Sequence, residues 1–80
     1  MADHRLDITR DVCPMTFVKT KLLLERMSPG ETAEIRLTGD EPLANVPRSV
    51  AEHGHEVVAC APEGEGSAIH RLIVRKAQGS

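Results

Sequence analysis

Aromatic residues are nearly absent from this chain of 80 residues, which has no tryptophan or tyrosine and a single phenylalanine, Phe17. The sequence therefore lacks the stacking platform on which proteins bind single-stranded nucleic acid. Its net charge is −2, so the chain also lacks the excess of basic residues that non-specific nucleic-acid binding requires. We therefore expect no direct binding to nucleic acid.

Cysteine is also scarce, since Cys13 and Cys60 are the only two. Two cysteines do not make a disulfide framework, and without a C-x-x-C motif neither a zinc ribbon nor a thioredoxin-type redox pair is supported. No apolar run is long enough to cross a bilayer, and residues 1–5 lead into no apolar segment of a signal peptide. We expect a cytoplasmic protein that does not bind membranes and keeps both cysteines as free thiols.

The hydrophobic pattern predicts four strands and two helices in the order β-α-β-α-β-β. The strands are expected at 4–9, 32–38, 56–61 and 69–76, and the helices at 14–27 and 43–53. The predicted fold is α+β, a two-layer α/β sandwich in which a four-stranded mixed sheet carries both helices on one face and leaves the other open to solvent. Residues 4–76 are expected to form a single domain, and 77–80 a disordered tail.

Both helices are predicted to turn one apolar face toward the core. On the first helix this face comprises Thr16, Phe17, Thr20, Leu23, Leu24 and Met27. On the second it comprises Leu43, Ala44, Val46, Val50 and Ala51. Pro47 is expected near the first turn of the second helix, where proline is tolerated. Met15, Val18 and Leu22 make a second apolar stripe on the first helix, which is either a docking surface for a partner or further buried surface.

The pair Cys13-Pro14 lies at the predicted junction of the first strand and the first helix. Proline suits the first helical position, because its φ is fixed near the helical value and its missing N–H would be unpaired there. Cys13 would then lie beside free N–H groups and the positive helix end, which favour a thiolate. Arg10 and Lys19 would add positive charge, and Asp11 opposes it. Such a cysteine serves as a nucleophile, a metal ligand or a sulfur carrier; the alternative is a buried structural cysteine.

The remaining polar candidates are expected to have structural roles. Cys60 is predicted to fill the core rather than to act as a resolving thiol for Cys13. Asp40 and Glu41 suit the start of the second helix, where negative charge is favourable. The histidines are expected to be solvated or to stabilise turns rather than to bind metal; they are His4, His53, His55 and His70.

Several residues at characteristic spacing, together with Cys13-Pro14, resemble the TusA/SirA family of small sulfur-carrier proteins. They are Leu6-Asp7, Leu24, Met27, Gly30-Glu31, Asp40, Pro42, Val46-Pro47 and Gly54-His55. The resemblance implies that Cys13 is the catalytic residue, holding a persulfide and relaying its sulfur between proteins. It implies a sulfur donor, either a cysteine desulfurase or a rhodanese-like protein, and a sulfur acceptor, with neither metal nor organic cofactor.

The sequence departs from this family's pattern around the cysteine. Thr9-Arg10-Asp11 stand where the family has Arg-Gly-Leu, and Thr16 replaces the second proline of Cys-Pro-x-Pro. The residues expected to support Cys13 are Pro14, Arg10, Thr16 and Lys19. The alternative function is a non-catalytic interaction module that uses the surface of the first helix around Cys13. In either case we expect a monomer.

Overall fold

The computed structural model describes residues 2–12 and 14–77. Its elements are β1 (His4–Asp7), α1 (Met15–Arg26), β2 (Thr32–Thr38), α2 (Asp40–Glu52), β3 (Glu56–Pro62) and β4 (Ile69–Arg75). The predicted element order is confirmed.

The strands form one mixed sheet in the order β1-β2-β4-β3. β1 is parallel to β2, whereas β4 is antiparallel to both β2 and β3. Because β2 and β3 each oppose β4, they run in the same direction, and each helix connects two parallel strands. Both helices therefore begin at the same end of the sheet, where β1 and β2 end.

The core lies between the helices and one face of the sheet. Its members with zero exposure are Ala33, Ile35, Leu37, Leu72 and Val74, all on β2 and β4. The alternate residues of β2 lie on the other face and remain half-exposed. The two-layer arrangement with one open sheet face is therefore confirmed.

The predicted inward face of α1 is buried, apart from half-buried Phe17. Thr16 and Thr20 are each only 2% exposed, and the Thr20 hydroxyl donates to the Thr16 carbonyl over 2.8 Å. This bond removes the cost of an unpaired hydroxyl in the core. The chain leaves α1 at Met27 in extended conformation, and Gly30 then adopts a positive φ of 88°.

The second helix differs from its prediction in two ways. It begins at Asp40, because the Gly39 carbonyl already accepts the Leu43 N–H at 3.1 Å, and Pro47 therefore lies in the helix interior rather than the first turn. Proline has no N–H, so the backbone bond it would donate within the helix is missing. Ala44 and Ala51, predicted to face the core, are exposed because they lie at the flank of the apolar arc.

The first strand is shorter than predicted and ends at Asp7. The Asp7 carboxylate accepts hydrogen bonds from the Thr9 N–H (2.9 Å) and hydroxyl (2.7 Å), which bends the chain in an Asx turn. Ile8 nevertheless keeps one strand-like bond, from its N–H to the Arg36 carbonyl at 2.9 Å, and is 1% exposed. The chain therefore leaves the sheet anchored to the core just before the Cys13-Pro14 segment.

The prediction that Cys60 fills the core is wrong, since this cysteine is exposed. It pairs with the fully buried Leu72, but β3 is an edge strand with a neighbour on one side only and with an irregular register. Most residues of β3 are therefore exposed, including Cys60 on the strand's middle part. Beyond β4, Ala77 donates its N–H to His55 Nδ1 at 2.9 Å, and the rest of the expected tail lies outside the described residues.

Candidate functional site

Cys13 lies outside the described residues, so the candidate site is defined by the residues on either side of it. Pro14 is exposed and is the N-cap of α1, with φ −91° and ψ 4°. The first helical residue is therefore Met15, one position later than predicted. This places the sequence Cys13-Pro14 immediately before the helix start.

Val12 shapes the turn that leads into the helix. Its carbonyl accepts the N–H groups of Met15 at 2.7 Å and Thr16 at 3.3 Å. These two groups are therefore not the free donors that the sequence predicted. The Val12 side chain is 73% exposed, and sequence reasoning missed it. The available signal was a large apolar residue inside an otherwise polar connection.

Some of the charges near the start of α1 are paired with an opposite charge, and others are not. The first turn has no acidic residue, so the positive end of the helix dipole is not offset from within the helix. Lys19, by contrast, is paired with Asp11, whose two oxygens lie 2.9 and 3.0 Å from its ammonium nitrogen. Arg10 is exposed and has no ion pair with any residue in 2–12 or 14–77. Within this segment, the positive end of α1 and Arg10 are therefore the charges that no paired carboxylate offsets.

An exposed apolar surface adjoins the same helix start. Met15 is 44% exposed and Leu22 52% exposed, while Val18 between them is half-buried. Together with Val12 they make what we call the apolar stripe. Of the two interpretations of this second face of α1, the exposure of Met15 and Leu22 favours a docking surface over further buried surface. Thr16, by contrast, points into the core and is not part of this surface.

An acidic groove borders the stripe on the side of α2. The groove encloses about 360 Å³ and is lined by Asp11, Val12, Thr38, Gly39, Asp40, Glu41 and Pro42. Asp40 and Glu41 occupy the first turn of α2, as predicted, where negative charge is favourable. The helix starts of α1 and α2 thus offer different electrostatic surroundings at one end of the molecule.

Three of the histidines have hydrogen-bonding roles within the fold, among them His55, which accepts the Ala77 N–H. His4 Nε2 lies 2.8 Å from the Glu31 carboxylate, and His53 Nδ1 lies 2.8 Å from the Ser49 carbonyl. The bond from His4, followed by that from the Ser28 N–H, lowers the pKa of Glu31. Within the described part of the chain, no three His, Cys, Asp or Glu side chains are grouped to hold a metal ion.

Comparison with known proteins gives a consistent result. The family model described as Sulfurtransferase TusA matches residues 4–76. A candidate sulfur carrier protein of Archaeoglobus fulgidus is 44% identical over 64 residues, covering 80% of this chain and 73% of the relative. A second candidate sulfur carrier, from Methanocaldococcus jannaschii, is 36% identical over 78 residues and covers 95% of this chain and 97% of its own.

Solved structures share the fold. The SirA-like protein of Desulfitobacterium hafniense superposes with a TM-score of 0.77 over 94% of this chain and 99% of its own, at 14% identity. A solution structure of a Helicobacter pylori protein superposes with a TM-score of 0.68 at 18% identity. It covers 92% of this chain and 97% of its own. Neither described helix is long and apolar enough to cross a membrane. By the family model and the sequence relatives together, the chain belongs to the TusA sulfurtransferase family.

Proposed function

We propose that this protein carries sulfur as a persulfide on Cys13 and relays it from a donor protein to an acceptor protein. The observation that carries the proposal is the match to the TusA family over residues 4–76, with Cys13-Pro14 directly before a helix whose first turn has no acidic residue. The positive end of that helix favours an anionic sulfur, either thiolate or persulfide.

The relay consists of two sulfur exchanges. The Cys13 thiolate attacks the outer sulfur of a donor persulfide, R–S–SH, forming Cys13–S–SH and releasing the donor thiolate R–S⁻. An acceptor thiolate then attacks the outer sulfur on Cys13, takes it as a new persulfide and regenerates the Cys13 thiolate. Each step makes one S–S bond and breaks another, as in thiol–disulfide exchange, so no external oxidant or reductant is needed.

Both exchanges require a partner that brings a sulfur atom to Cys13. The apolar stripe supplies a surface for this contact, because Val12 and Met15 flank the Cys13-Pro14 pair and Leu22 extends the surface along α1. Asp40 and Glu41 add negative charge at its border, which favours a partner with basic residues around an apolar centre. A cysteine desulfurase or a rhodanese-like protein is the proposed class of donor.

The same exposed stripe favours a second candidate function, a non-catalytic interaction module in which Cys13 has no chemical role. The two candidates differ in what each residue controls. Sulfur relay requires Cys13 for loading, whereas an interaction module keeps its partner after Cys13→Ser and loses it when the stripe is charged. In both cases the proposed setting is a monomer in the reducing cytoplasm, without metal or organic cofactor.

Intact-protein mass spectrometry tests the relay directly. The wild type, Cys13→Ser and Cys60→Ser proteins are incubated with a cysteine desulfurase and cysteine, and in parallel with polysulfide. With the desulfurase we expect wild type and Cys60→Ser to gain sulfur and Cys13→Ser to gain none. With polysulfide we expect Cys60→Ser to gain sulfur on Cys13 and the double variant Cys13→Ser/Cys60→Ser to gain none. The Cys60→Ser protein is an essential control, because Cys60 is exposed and open to the same reagents. Desulfurase-dependent loading that persists in Cys13→Ser, or no loading of folded Cys60→Ser by either donor, would contradict the proposal.

Docking is tested separately with Leu22→Glu and its uncharged control Leu22→Gln. Leu22 is 52% exposed, so both variants are expected to fold. Leu22→Glu should slow transfer from the desulfurase while leaving loading by polysulfide unchanged, because polysulfide does not need the stripe. Equal transfer rates for the wild type, Leu22→Glu and Leu22→Gln would show that the apolar stripe does not dock the donor.

A further inference from the structure

A cavity of about 210 Å³ lies between the two helices. It is lined by Phe17, Thr20, Lys21, Leu24 and Glu25 from α1, by Ser49 and Val50 from α2, and by His53, His55 and Lys76. None of these residues has a part in the proposed relay. The cavity therefore requires its own explanation.

Basic groups surround this cavity from several elements. Lys21 approaches from α1, His53 and His55 from the end of α2 and the turn after it, and Lys76 from the end of β4. Glu25 is the one acidic lining residue, and it is exposed. The two lysines outnumber the single carboxylate, so the charged side chains of the lining favour a negatively charged ligand.

The behaviour of His55 supports this electrostatic description. Burial, followed by the positive charges of Lys76 and His53, holds the pKa of His55 below its ordinary value. His55 Nδ1 accepts the Ala77 N–H at 2.9 Å, so the neutral ring carries its proton on Nε2. The ring is thus neutral, and its Nε2 N–H can donate to a bound acceptor.

Lys76 is held in a defined position by the end of α1. Its ammonium nitrogen donates to the Leu24 carbonyl at 2.6 Å, at the negative end of the helix dipole. One carbonyl does not use all three N–H donors of an ammonium group. A negatively charged group in the cavity would be a further acceptor for Lys76.

The rest of the lining is apolar. Leu24 and Val50 are 5% and 2% exposed and belong to the core, and half-buried Phe17 forms a wall with the His53 ring, whose centroid is 6.0 Å away. Such a lining suits an aromatic or aliphatic body. The volume restricts the ligand to a small molecule, since an engineered cavity of about 150 Å³ holds benzene.

We propose that the cavity between α1 and α2 binds a small organic anion, with its apolar body against Phe17, Leu24 and Val50 and its charge toward Lys21 and Lys76. The ligand class is an aromatic or short aliphatic carboxylate. This binding does not depend on Cys13, and it stands or falls independently of the sulfur relay.

Titration followed by ¹H–¹⁵N NMR tests the proposal, with benzoate as the probe and benzamide as its neutral counterpart at constant ionic strength. We expect saturable shifts for the backbone amides of the lining residues, with benzoate binding more tightly than benzamide. Lys21→Glu should weaken benzoate binding about three- to tenfold, as expected for reversing one nearby charge. The matched control Arg26→Glu reverses another exposed charge on α1 that does not line the cavity, and it should change binding much less.

The same titration can overturn the proposal. Equal binding of benzoate and benzamide would show that charge is not recognised, and shifts outside the lining or none at all would show that the cavity is not the site. If Lys21→Glu lost the folded amide spectrum, Lys21→Gln would replace it. Unchanged benzoate affinity in a folded Lys21 variant would also contradict the assignment.

Discussion

The starts of the two helices lie at the same end of the sheet but are built differently. α1 begins after Pro14, with φ −91° and no acidic residue in its first turn. α2 begins after Gly39, with φ 101°, and has Asp40 and Glu41 in its first turn. Neither start has a side-chain cap hydrogen bond. One helix dipole is thus offset by its own carboxylates, and the other is not.

This difference agrees with the proposal that an anionic sulfur is carried at the start of α1 rather than of α2. Asp40 and Glu41 would repel an anion near the start of α2, whereas the first turn of α1 contains no carboxylate. An acidic first turn would make α1 more stable as a helix. The first turn of α1 lacks this stabilisation, and it is the turn at which the proposed relay needs a positive potential.

The largest expected effect comes from the backbone at the start of α2. Gly39→Ala should lower the free energy of unfolding by about 1–3 kcal/mol, because a residue with a Cβ rarely adopts this conformation. Steric contact is secondary, since the added Cβ would lie 3.4 Å from Pro42 Cδ, an ordinary van der Waals distance. Chemical denaturation measures the change.

The control for this prediction is Gly64→Ala. A Cβ at Gly64 would meet no atom within 4 Å, and its φ is not in the positive region. Its substitution should leave stability nearly unchanged or raise it slightly, by reducing the freedom of the unfolded chain. If the two variants unfolded at the same denaturant concentration, strain at Gly39 would not be what distinguishes the start of α2.

Making the start of α1 resemble that of α2 should have opposite effects on stability and reactivity. Met15→Glu adds a carboxylate to the first turn and should raise the unfolding free energy by about 0.3–1 kcal/mol. It should also slow alkylation of Cys13 by iodoacetamide several-fold, because it disfavours the thiolate. The rate is measured in a Cys60→Ser background, so that only Cys13 reacts.

Met15→Gln is the matched control, since it removes the same apolar side chain without adding charge. It should leave the Cys13 alkylation rate close to that of the parent protein. A rate that falls equally in the Glu and Gln variants would mean that the apolar side chain of Met15, and not the field at the helix start, governs the thiol.

The sequence predicted the fold well, because periodicity identifies which residues are buried. The alternation of apolar and polar residues in β2, and the helical spacing of apolar residues in α1, each identified the buried face of its element. The start of α2 was predicted three residues too late, because Gly39 could be recognised only as part of a turn and not by its positive φ. Ala44 and Ala51 were misplaced because alanine is apolar yet small enough to remain exposed at the flank of a helix.

The candidate site was less predictable than the fold. The position of Cys13-Pro14 before a helix follows from local sequence, but the pairing of Lys19 with Asp11 depends on how the turn folds back on α1. The exposure of Cys60 depends on strand order, since only the sheet topology makes β3 an edge. Such facts depend on contacts between distant segments, which hydrophobic periodicity does not encode.

The C-terminal ends of the helices differ from their starts in a smaller effect, a dependence of stability on pH that comes from His55. His55 has a lowered pKa in the folded protein, so below about pH 6.5 the unfolded chain binds more protons at this residue. Its contribution to stability should be complete above that pH and be lost as pH falls through the folded pKa. Burial is the largest cause of the lowered pKa of His55, followed by repulsion from Lys76 and His53; exposed Glu25 and Lys21 also line this region.

His55→Gln should therefore flatten the dependence of the unfolding free energy on pH between about 7 and 5. The measurement is a set of denaturant titrations across that range for both proteins. His53→Gln serves as the comparison and should flatten the dependence less, because it removes only one of the causes that lower the pKa of His55. A wild-type slope that persists in His55→Gln would assign the pH dependence to other groups.

The smallest effect is expected from Asp11, which lies between the two helix starts and pairs with Lys19. Asp11→Asn should speed alkylation of Cys13, in the Cys60→Ser background, by less than about threefold, because exposed ion pairs contribute only about 0.2–1 kcal/mol. Glu25→Gln removes one carboxylate farther along α1 and should change the rate less. If the two substitutions had equal effects, net charge and not the local pair would control the thiol. A faster rate for Asp11→Asn alone, abolished by high salt, would show that Asp11 restrains the positive field at the start of α1.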